Sequence, residues 1–501
     1  MENNDFDIAI IGGGITGAGL FRELSTTGLK ICLIEKNDFA SGTSSKSSKL
    51  VHGGLRYLKE GNLMLTLESV HHRERLLKEA PYLVRPIEFV MPLYNKQSPG
   101  KLTMGAGLTI YDIMALKKRH KFITKKTLIK RFKHLKTKNL IGAYSFTDAR
   151  TDDAMLVIRL IHEGLENKNA KAWNYCEVKK ISSSGKTKRI LIKTENGDDE
   201  IRTKIIINAS GVWADSFAPL PDKRLHVRPL KGSHLVIKKD KLNINSAISF
   251  LHPKDKRPVF FIPWEGAVLL GTTDIDAKSK KDLKISKKEI DYLLNAAKFI
   301  FPDISIEKQD IISTFSGIRP VISSGSKAPS EESREHIVWE KNGIISVTGG
   351  KLTTFRKLAW DTLEYASKHF KNINLLDKKA PVFKFVHNSG DKTKMRLHGR
   401  YGENINFNYL KKNDLMKKIP GTKTFLAEIY IASKDKTIKH LDDLLMRRLR
   451  IGLLLENGAL GIIDQIKDLT SENLGWDEQK WKVEIERYKK VYNDFFSPKI
   501  Q

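Results

Sequence analysis

Cysteine is nearly absent from this sequence: Cys32 and Cys176 are the only two in 501 residues. Neither lies in a CxxC or Cys/His spacing, so the chain encodes no disulfide framework and no thiolate metal site, and both read as reduced thiols. No metal is expected. Long apolar runs are also missing. Nothing approaches the ~18 uninterrupted apolar residues of a membrane-spanning helix, although a hydrophobic content of 40% is ordinary for a globular chain. The start carries Glu2, Asp5 and Asp7 and no basic segment, which predicts no secretory leader. Internal repeats are absent at periods of roughly 20–50 residues. Acid is scarce: 58 Asp and Glu face 88 Lys and Arg, a net charge of +30. Such an excess favours anionic partners, whether phosphates, anionic lipid or nucleic acid.

The imbalance peaks in residues 117–138, which hold 11 Lys or Arg and no acid. Leu128, Ile129, Phe132 and Leu135 recur there at helical spacing. The pattern predicts an amphipathic helix, either packed on the core with a solvated basic face or lying on an anionic membrane with Phe122 and Phe132 inserted shallowly. No zinc-finger or RNP-type pattern accompanies the charge, so no nucleic-acid partner is expected.

What the sequence does have is a dinucleotide-binding opening. Residues 8–11 (IAII) read as a buried strand, and Gly12-x-Gly14-x-x-Gly17 follows at once. The glycines suit a tight turn, a close approach of backbone to pyrophosphate, and close packing of the helix after them. The N-terminus of that helix favours phosphate charge. A second apolar strand over 31–34 ends in Glu35, 18 residues past Gly17, where an acid can accept hydrogen bonds from an adenosine ribose. Residues 41–48 (SGTSSKSS) are too polar for a plain strand or helix. Thr43, Ser44 and Ser45 could line a flavin pyrophosphate, or the stretch could be a solvated loop.

Residues 43–58 (TSSKSSKLVHGGLRYL) resemble the signature of the FAD-dependent glycerol-3-phosphate dehydrogenases of the aerobic, quinone-linked type. Further stretches extend the resemblance: GTTD at 271–274, SGIRP at 316–320 and GGKLTT at 349–354. It covers residues 6–370 well and the last quarter poorly. It implies an α/β fold: a discontinuous Rossmann-like FAD-binding domain (1–80, 148–225, 335–374), a mostly antiparallel-sheet substrate or cap domain (81–147, 226–334), and a helical C-terminal domain (375–501). Pro and Gly scattered over 81–116 predict strands and loops there. Helices are expected over 148–165, 286–301, 441–455 and 481–496, the last two offering a second route to a membrane or subunit contact. Residues 378–391 read as a linker.

The resemblance also brings Gly211 of the NASGVW segment, and Gly350, Leu352 and Thr353, back to the FAD. Oxidising a secondary alcohol with a flavin requires the carbinol C–H to face flavin N5 and the hydroxyl to lose its proton to a base. A phosphate on the substrate needs cations: Arg for bidentate contact and Lys for a point contact. Arg56, Arg319 and Lys351 lie in turns that the resemblance brings to the flavin, where Tyr57, Thr272 and Thr273 can add hydroxyl contacts. His52 and His234 are candidate bases, and Arg319 joins them as a candidate catalytic group. A His or Arg in a glycine-rich turn can equally be a loop brace. The implied reaction is sn-glycerol 3-phosphate to dihydroxyacetone phosphate by hydride transfer to non-covalent FAD. Electrons would pass to a membrane quinone from an enzyme bound peripherally to the inner face of the cytoplasmic membrane. Two alternatives stay open: an oxidase using molecular oxygen, and a flavin-dependent nucleic-acid-modifying or binding protein. A homodimer is neither required nor excluded.

Overall fold

The computed structural model describes residues 4–59, 61–95, 100–323, 335–369, 377–384 and 390–499. Two sheets carry the fold. The first has eight strands among the described residues, in the order His336–Lys341, Ile344–Gly349, Gly197–Asn208, Asp5–Ile11, Ile31–Ile34, Ala170–Trp173, with the hairpin Glu177–Ser184 and Thr187–Thr194 attached to Gly197–Asn208. The central pairings are parallel. Parallel strands need both faces covered, and Ile8, Ile10, Ile31 and Leu33 are fully buried. Three of the covering helices are Ile15–Leu24, Asp153–Leu165 and Phe355–Ala366. The sheet is therefore assembled from three separated stretches of chain.

The second sheet has ten strands among the described residues and is almost wholly antiparallel. It runs from Ile275–Asp276 through His226–Lys238, Ala267–Gly271, Pro258–Trp264, Ala247–Leu251, Val84–Tyr94 and Leu140–Thr151 to Leu50–Val51. Ile311–Ser323 pairs with His226–Lys238, setting Leu230 opposite Arg319 and His234 opposite Phe315. This second sheet takes Leu50–Val51 from the N-terminal stretch.

Several local expectations change. Residues 101–114 form a helix, Lys101–Met114, not strands and loops. Gly105 is a packing site: a Cβ there would lie 2.5 Å from the Tyr144 hydroxyl. Residues 117–138 are not one helix. Lys121–Thr124 is a strand paired with Leu140–Thr151, and Thr124 then caps the short helix Lys125–Arg131. Leu128, Phe132 and Leu135 are buried in the core, and Phe122 is partly buried beneath the Lys101 ammonium, 4.0 Å from its ring centroid. The apolar stripe thus faces inward, and neither phenylalanine is placed to insert into a membrane. The helix expected from 148 begins at Asp153, capped by Asp152, because 148–151 finish a strand.

The helical C-terminal unit packs on the second sheet. Helix Glu478–Phe495 buries Trp481, Tyr488 and Tyr492. Residues 441–455 are a wide π-type turn, Asp443–Arg448, broken at Arg450 (φ 70°) before Ile451–Leu454. Their apolar side chains are buried in the core, so neither C-terminal stretch offers a free apolar face. Part of the linker reading, 385–389, lies outside the described residues. No helix among the described residues is long and apolar enough to cross a membrane.

Candidate active site

A cavity of about 1750 Å³ runs between the two sheets. Its dinucleotide end is built on the first turn of the chain. Gly12 has φ +108°, and a Cβ there would lie 2.6 Å from the Ala209 carbonyl oxygen. A Cβ on Gly17 would lie 1.8 Å from the Gly12 oxygen. Both positions exclude side chains, for backbone conformation and for packing. Gly14 caps helix Ile15–Leu24 and lines the cavity; Gly17 lies behind it. Glu35 lines the cavity, its Oε2 accepting the Gly13 N–H at 2.7 Å and its Oε1 the Asn37 N–H at 2.9 Å. Burial pushes its carboxyl above the usual carboxylate range, against the pull of those two N–H groups.

Residues 43–45 form a 3₁₀ turn. Ser44 Oγ accepts the Ile15 N–H at 2.9 Å, and Thr43 Oγ1 donates to the Ile318 carbonyl. Both side chains line the cavity; Ser45 is buried behind it. On the far wall Gly349 and Gly350 have φ +84° and +71°, Thr348 Oγ1 donates to Gly211 O at 2.9 Å, and Thr353 Oγ1 to His52 O at 3.2 Å. Gly211, Gly350, Leu352 and Thr353 all line the cavity. Open backbone, a helix N-terminus and a ribose-compatible acid on one wall fit a dinucleotide.

The other end is cationic. Arg319 Nη1 donates to Asp274 Oδ1 at 2.7 Å and Nη2 to Thr272 Oγ1 at 3.1 Å. It crosses over Gly232, where a Cβ would lie 2.5 Å from Nη2. Lys351 Nζ donates to Ser69 Oγ at 2.8 Å and sits 3.8 Å from the centroid of the Tyr57 ring. His234 is 2% exposed, stacks on Phe315 with centroids 4.8 Å apart, and shares a 2.9 Å hydrogen bond between Nε2 and Ser48 Oγ. Burial, reinforced by Lys49 and Arg319, holds its pKa well below 6.5. His52 also lines the cavity.

Thr273 does not reach the cavity. Its hydroxyl accepts the Ser233 N–H and donates to Glu289, so it braces the sheet. The Arg56 side chain lies outside the described residues. Sequence reasoning missed Asp274 and Ser48, the partners of Arg319 and His234. Asp274 was legible as the last letter of GTTD; Ser48 had no signal beyond a polar stretch.

Residues 7–356 match the family model described as FAD dependent oxidoreductase, and residues 365–481 match the C-terminal domain of alpha-glycerophosphate oxidase. The aerobic glycerol-3-phosphate dehydrogenase of Staphylococcus haemolyticus is 37% identical over 382 residues, covering 74% of this chain and 68% of that one. That of Staphylococcus aureus is 36% identical over the same shares. The chain belongs to the aerobic glycerol-3-phosphate dehydrogenase family. It is an FAD-dependent enzyme of that family, and the cavity's dinucleotide end is consistent with its cofactor. The fold agrees: the FAD complex of glycerol-3-phosphate dehydrogenase from Bacillus halodurans superposes with a TM-score of 0.75 at 24% identity, covering 100% of this chain and 97% of that one. L-alpha-glycerophosphate oxidase from Mycoplasma pneumoniae gives 0.60 at 19% identity, covering 77% of this chain and 100% of that one.

Proposed function

We propose that this dehydrogenase oxidises sn-glycerol 3-phosphate to dihydroxyacetone phosphate and hands the electrons to a membrane quinone. One observation carries the substrate reading: Arg319, Thr272, Tyr57 and Lys351 converge on the same cavity as Gly12 and Glu35. FAD, when bound, supplies the two-electron acceptor for the carbinol carbon. Arg319 and Lys351 hold the phosphate dianion, the guanidinium fork pre-aimed by Asp274 and Thr272. Tyr57 and Thr272 orient the hydroxyls. His52 takes the hydroxyl proton. His234 is the poorer base, because burial and two neighbouring cations oppose its protonation; it fixes Ser48 instead. Gly12, Gly14, Glu35, Thr43, Ser44, Gly211, Gly350, Leu352 and Thr353 contact FAD, while Gly17 and Ser45 shape the backbone behind it.

The quinone reading is supported by helix Lys101–Met114. Its inner side, including Met104 and Gly107, lines the cavity. Its outer side carries Leu102 and Ile113, with Leu116 next along, at 87%, 65% and 88% exposure; Ile110 belongs to the cavity side. Positions 102, 106, 109 and 113 share one helical face, and Leu116 follows just past the helix end. Lys118, Lys121, Lys125 and Lys126 follow, all exposed. An outward apolar face followed by exposed lysines suits an anionic bilayer, and docking there would bring the cavity wall to the lipid surface, where a quinone would reside. Attachment would be peripheral, on the cytoplasmic face.

Oxygen as acceptor is the second reading, favoured by the match of residues 365–481 to an oxidase C-terminal domain. Anaerobic stopped-flow mixing with glycerol 3-phosphate, followed by reoxidation with a quinone analogue or with oxygen, tests both. Rapid bleaching and rapid reoxidation by quinone are expected. Failure to bleach would overturn the substrate; fast reoxidation by oxygen alone would overturn the acceptor.

A further inference from the structure

The C-terminal unit sends three arginines from one short stretch into the FAD-binding half of the molecule. Arg447 and Arg448 both pair with Asp38, the buried residue three past Glu35. Arg450 is 1% exposed and ends the π-type turn in a left-handed conformation. Its Nη1 donates to Met446 O at 2.9 Å, within its own unit, and its Nη2 to Ser45 O at 2.8 Å, in the turn that lines the cavity. Lys49 Nζ reaches the same Ser45 carbonyl at 2.6 Å. Asp153 gathers these groups, accepting from Lys49 at 2.8 Å and from the Ser47 N–H and hydroxyl, with Arg450 Nη2 at 3.3 Å.

The turn tied down at Ser45 connects three parts of the site. Thr43 bonds to Ile318 O beside Arg319, Ser44 to the Ile15 N–H at the helix N-terminus, and Ser48 to His234. A carbonyl shared by two buried cations has one place to sit. We propose that Arg450 is a positioning residue for FAD: through Ser45 O it holds residues 43–48 in the shape that meets the cofactor, making the C-terminal unit part of the cofactor site. The inference rests on the reading that this turn faces FAD.

Three variants test it: Arg450→Met, Ser44→Ala on the turn itself, and Arg396→Met as control. Arg396 is also buried and joins the C-terminal unit to the second sheet through Glu428 and Glu265, at 2.8 and 2.7 Å, but does not touch the turn. FAD affinity of each apoprotein is titrated, its melting temperature is measured without FAD, and the flavin absorption bands of the reconstituted protein are compared. R450M and S44A are expected to weaken FAD binding about tenfold or more, the scale of a lost hydrogen bond to a charged group, with altered flavin bands. R396M should lose melting temperature while keeping affinity and spectrum. If S44A weakens FAD and R450M does not, the positioning role is wrong and the turn's role stands. If neither changes, both readings fall. Equal FAD loss in R450M and R396M would reduce the effect to general destabilisation and overturn the proposal. Should R450M not fold, Arg450→Lys keeps the buried charge but loses the two-pronged contact. It is expected to bind FAD several-fold more weakly, and parent-like affinity would overturn the proposal.

Discussion

Arg319 and Asp274 form an ion pair at 2.7 Å beside Gly232, where a Cβ would press on the guanidinium. Asp274 is 8% exposed, so the guanidinium is aimed before any ligand arrives. A pre-aimed cation loses less freedom on binding an oxyanion than a free one does. Gly232 is the third member of this arrangement. Its absent side chain leaves room for both Arg319 Nη2 and Thr272 Oγ1, each of which would lie within 2.7 Å of a Cβ.

The first prediction concerns that arrangement. Arg319→Ala and Lys351→Ala should each lower kcat/KM for glycerol 3-phosphate by about 1.5–3 kcal/mol of transition-state binding or somewhat more, with FAD content unchanged. Gly232→Ala should do the same more mildly, because the clash falls on the far end of a flexible side chain and the sheet survives. Steady-state kinetics beside flavin absorbance check this. Parent-like kinetics in G232A would mean that Arg319 does not need its present course.

The second concerns how FAD is held. We expect no covalent link: Cys32 is buried away from the cavity, and Cys176, which borders it, is a buried thiol whose pKa burial pushes up to about 12. Acid precipitation should leave the yellow colour in the supernatant. Gly12→Ala should yield colourless protein, because φ +108° and a backbone oxygen at 2.6 Å leave a methyl group nowhere to go. Colour retained in the pellet, or a yellow G12A, would contradict non-covalent binding at this turn.

The third is a pH dependence. Burial holds His234 neutral, with its pKa well below 6.5, and burial with Arg75 and Arg356 nearby lowers that of His72 to about 4. Below about pH 6.5 the unfolded chain takes up protons at both residues and the folded chain does not. The unfolded state then binds more protons, so stability rises with pH in this window and falls on acidification. Each group contributes a slope of at most ~1.4 kcal/mol per pH unit. His234→Asn should flatten the acid limb by up to that amount, read from denaturant unfolding at pH 7 and pH 5. An unchanged slope would mean that His234 titrates normally in the fold.

Much of this was legible in the sequence, and the parts that were not share a cause. Gly12, Gly14 and Glu35 could be placed on one cavity wall because their positions follow from local backbone geometry. Arg319, Lys351 and Tyr57 reached one cavity as expected because each belongs to a short stretch of recognisable order. Thr273 sits beside Thr272 in the same stretch yet turns inward, since alternate residues along extended chain face opposite ways. The contact of Arg450 was not readable: its partner Ser45 is 405 residues away, and an arginine in LLMRRLRIG looks like the polar face of any amphipathic helix. Residues 117–138 misled for a related reason. Their helical spacing is real in Lys125–Arg131, but the pattern cannot say whether its apolar side meets protein or lipid.

The fourth prediction turns on that distinction. If the bilayer contact were electrostatic alone, each lysine near an anionic surface would contribute roughly 1 kcal/mol, screened by salt. Leu102, Ile113 and Leu116 are each at least 65% exposed, and burying a side chain of that size contributes about 1.5–3 kcal/mol. Three of them therefore outweigh several lysines and do not respond to salt. The protein should bind anionic liposomes, salt should loosen it without stripping it, and Leu102→Gln/Ile113→Gln/Leu116→Gln should abolish binding and quinone-linked turnover. Turnover with a soluble dye should survive, because these side chains point away from the cavity. Replacing Lys118, Lys121, Lys125 and Lys126 by glutamine should weaken binding only at low salt. Complete release of the parent by salt would show that charge dominates, and a triple glutamine variant that binds as the parent does would move the membrane contact off this helix.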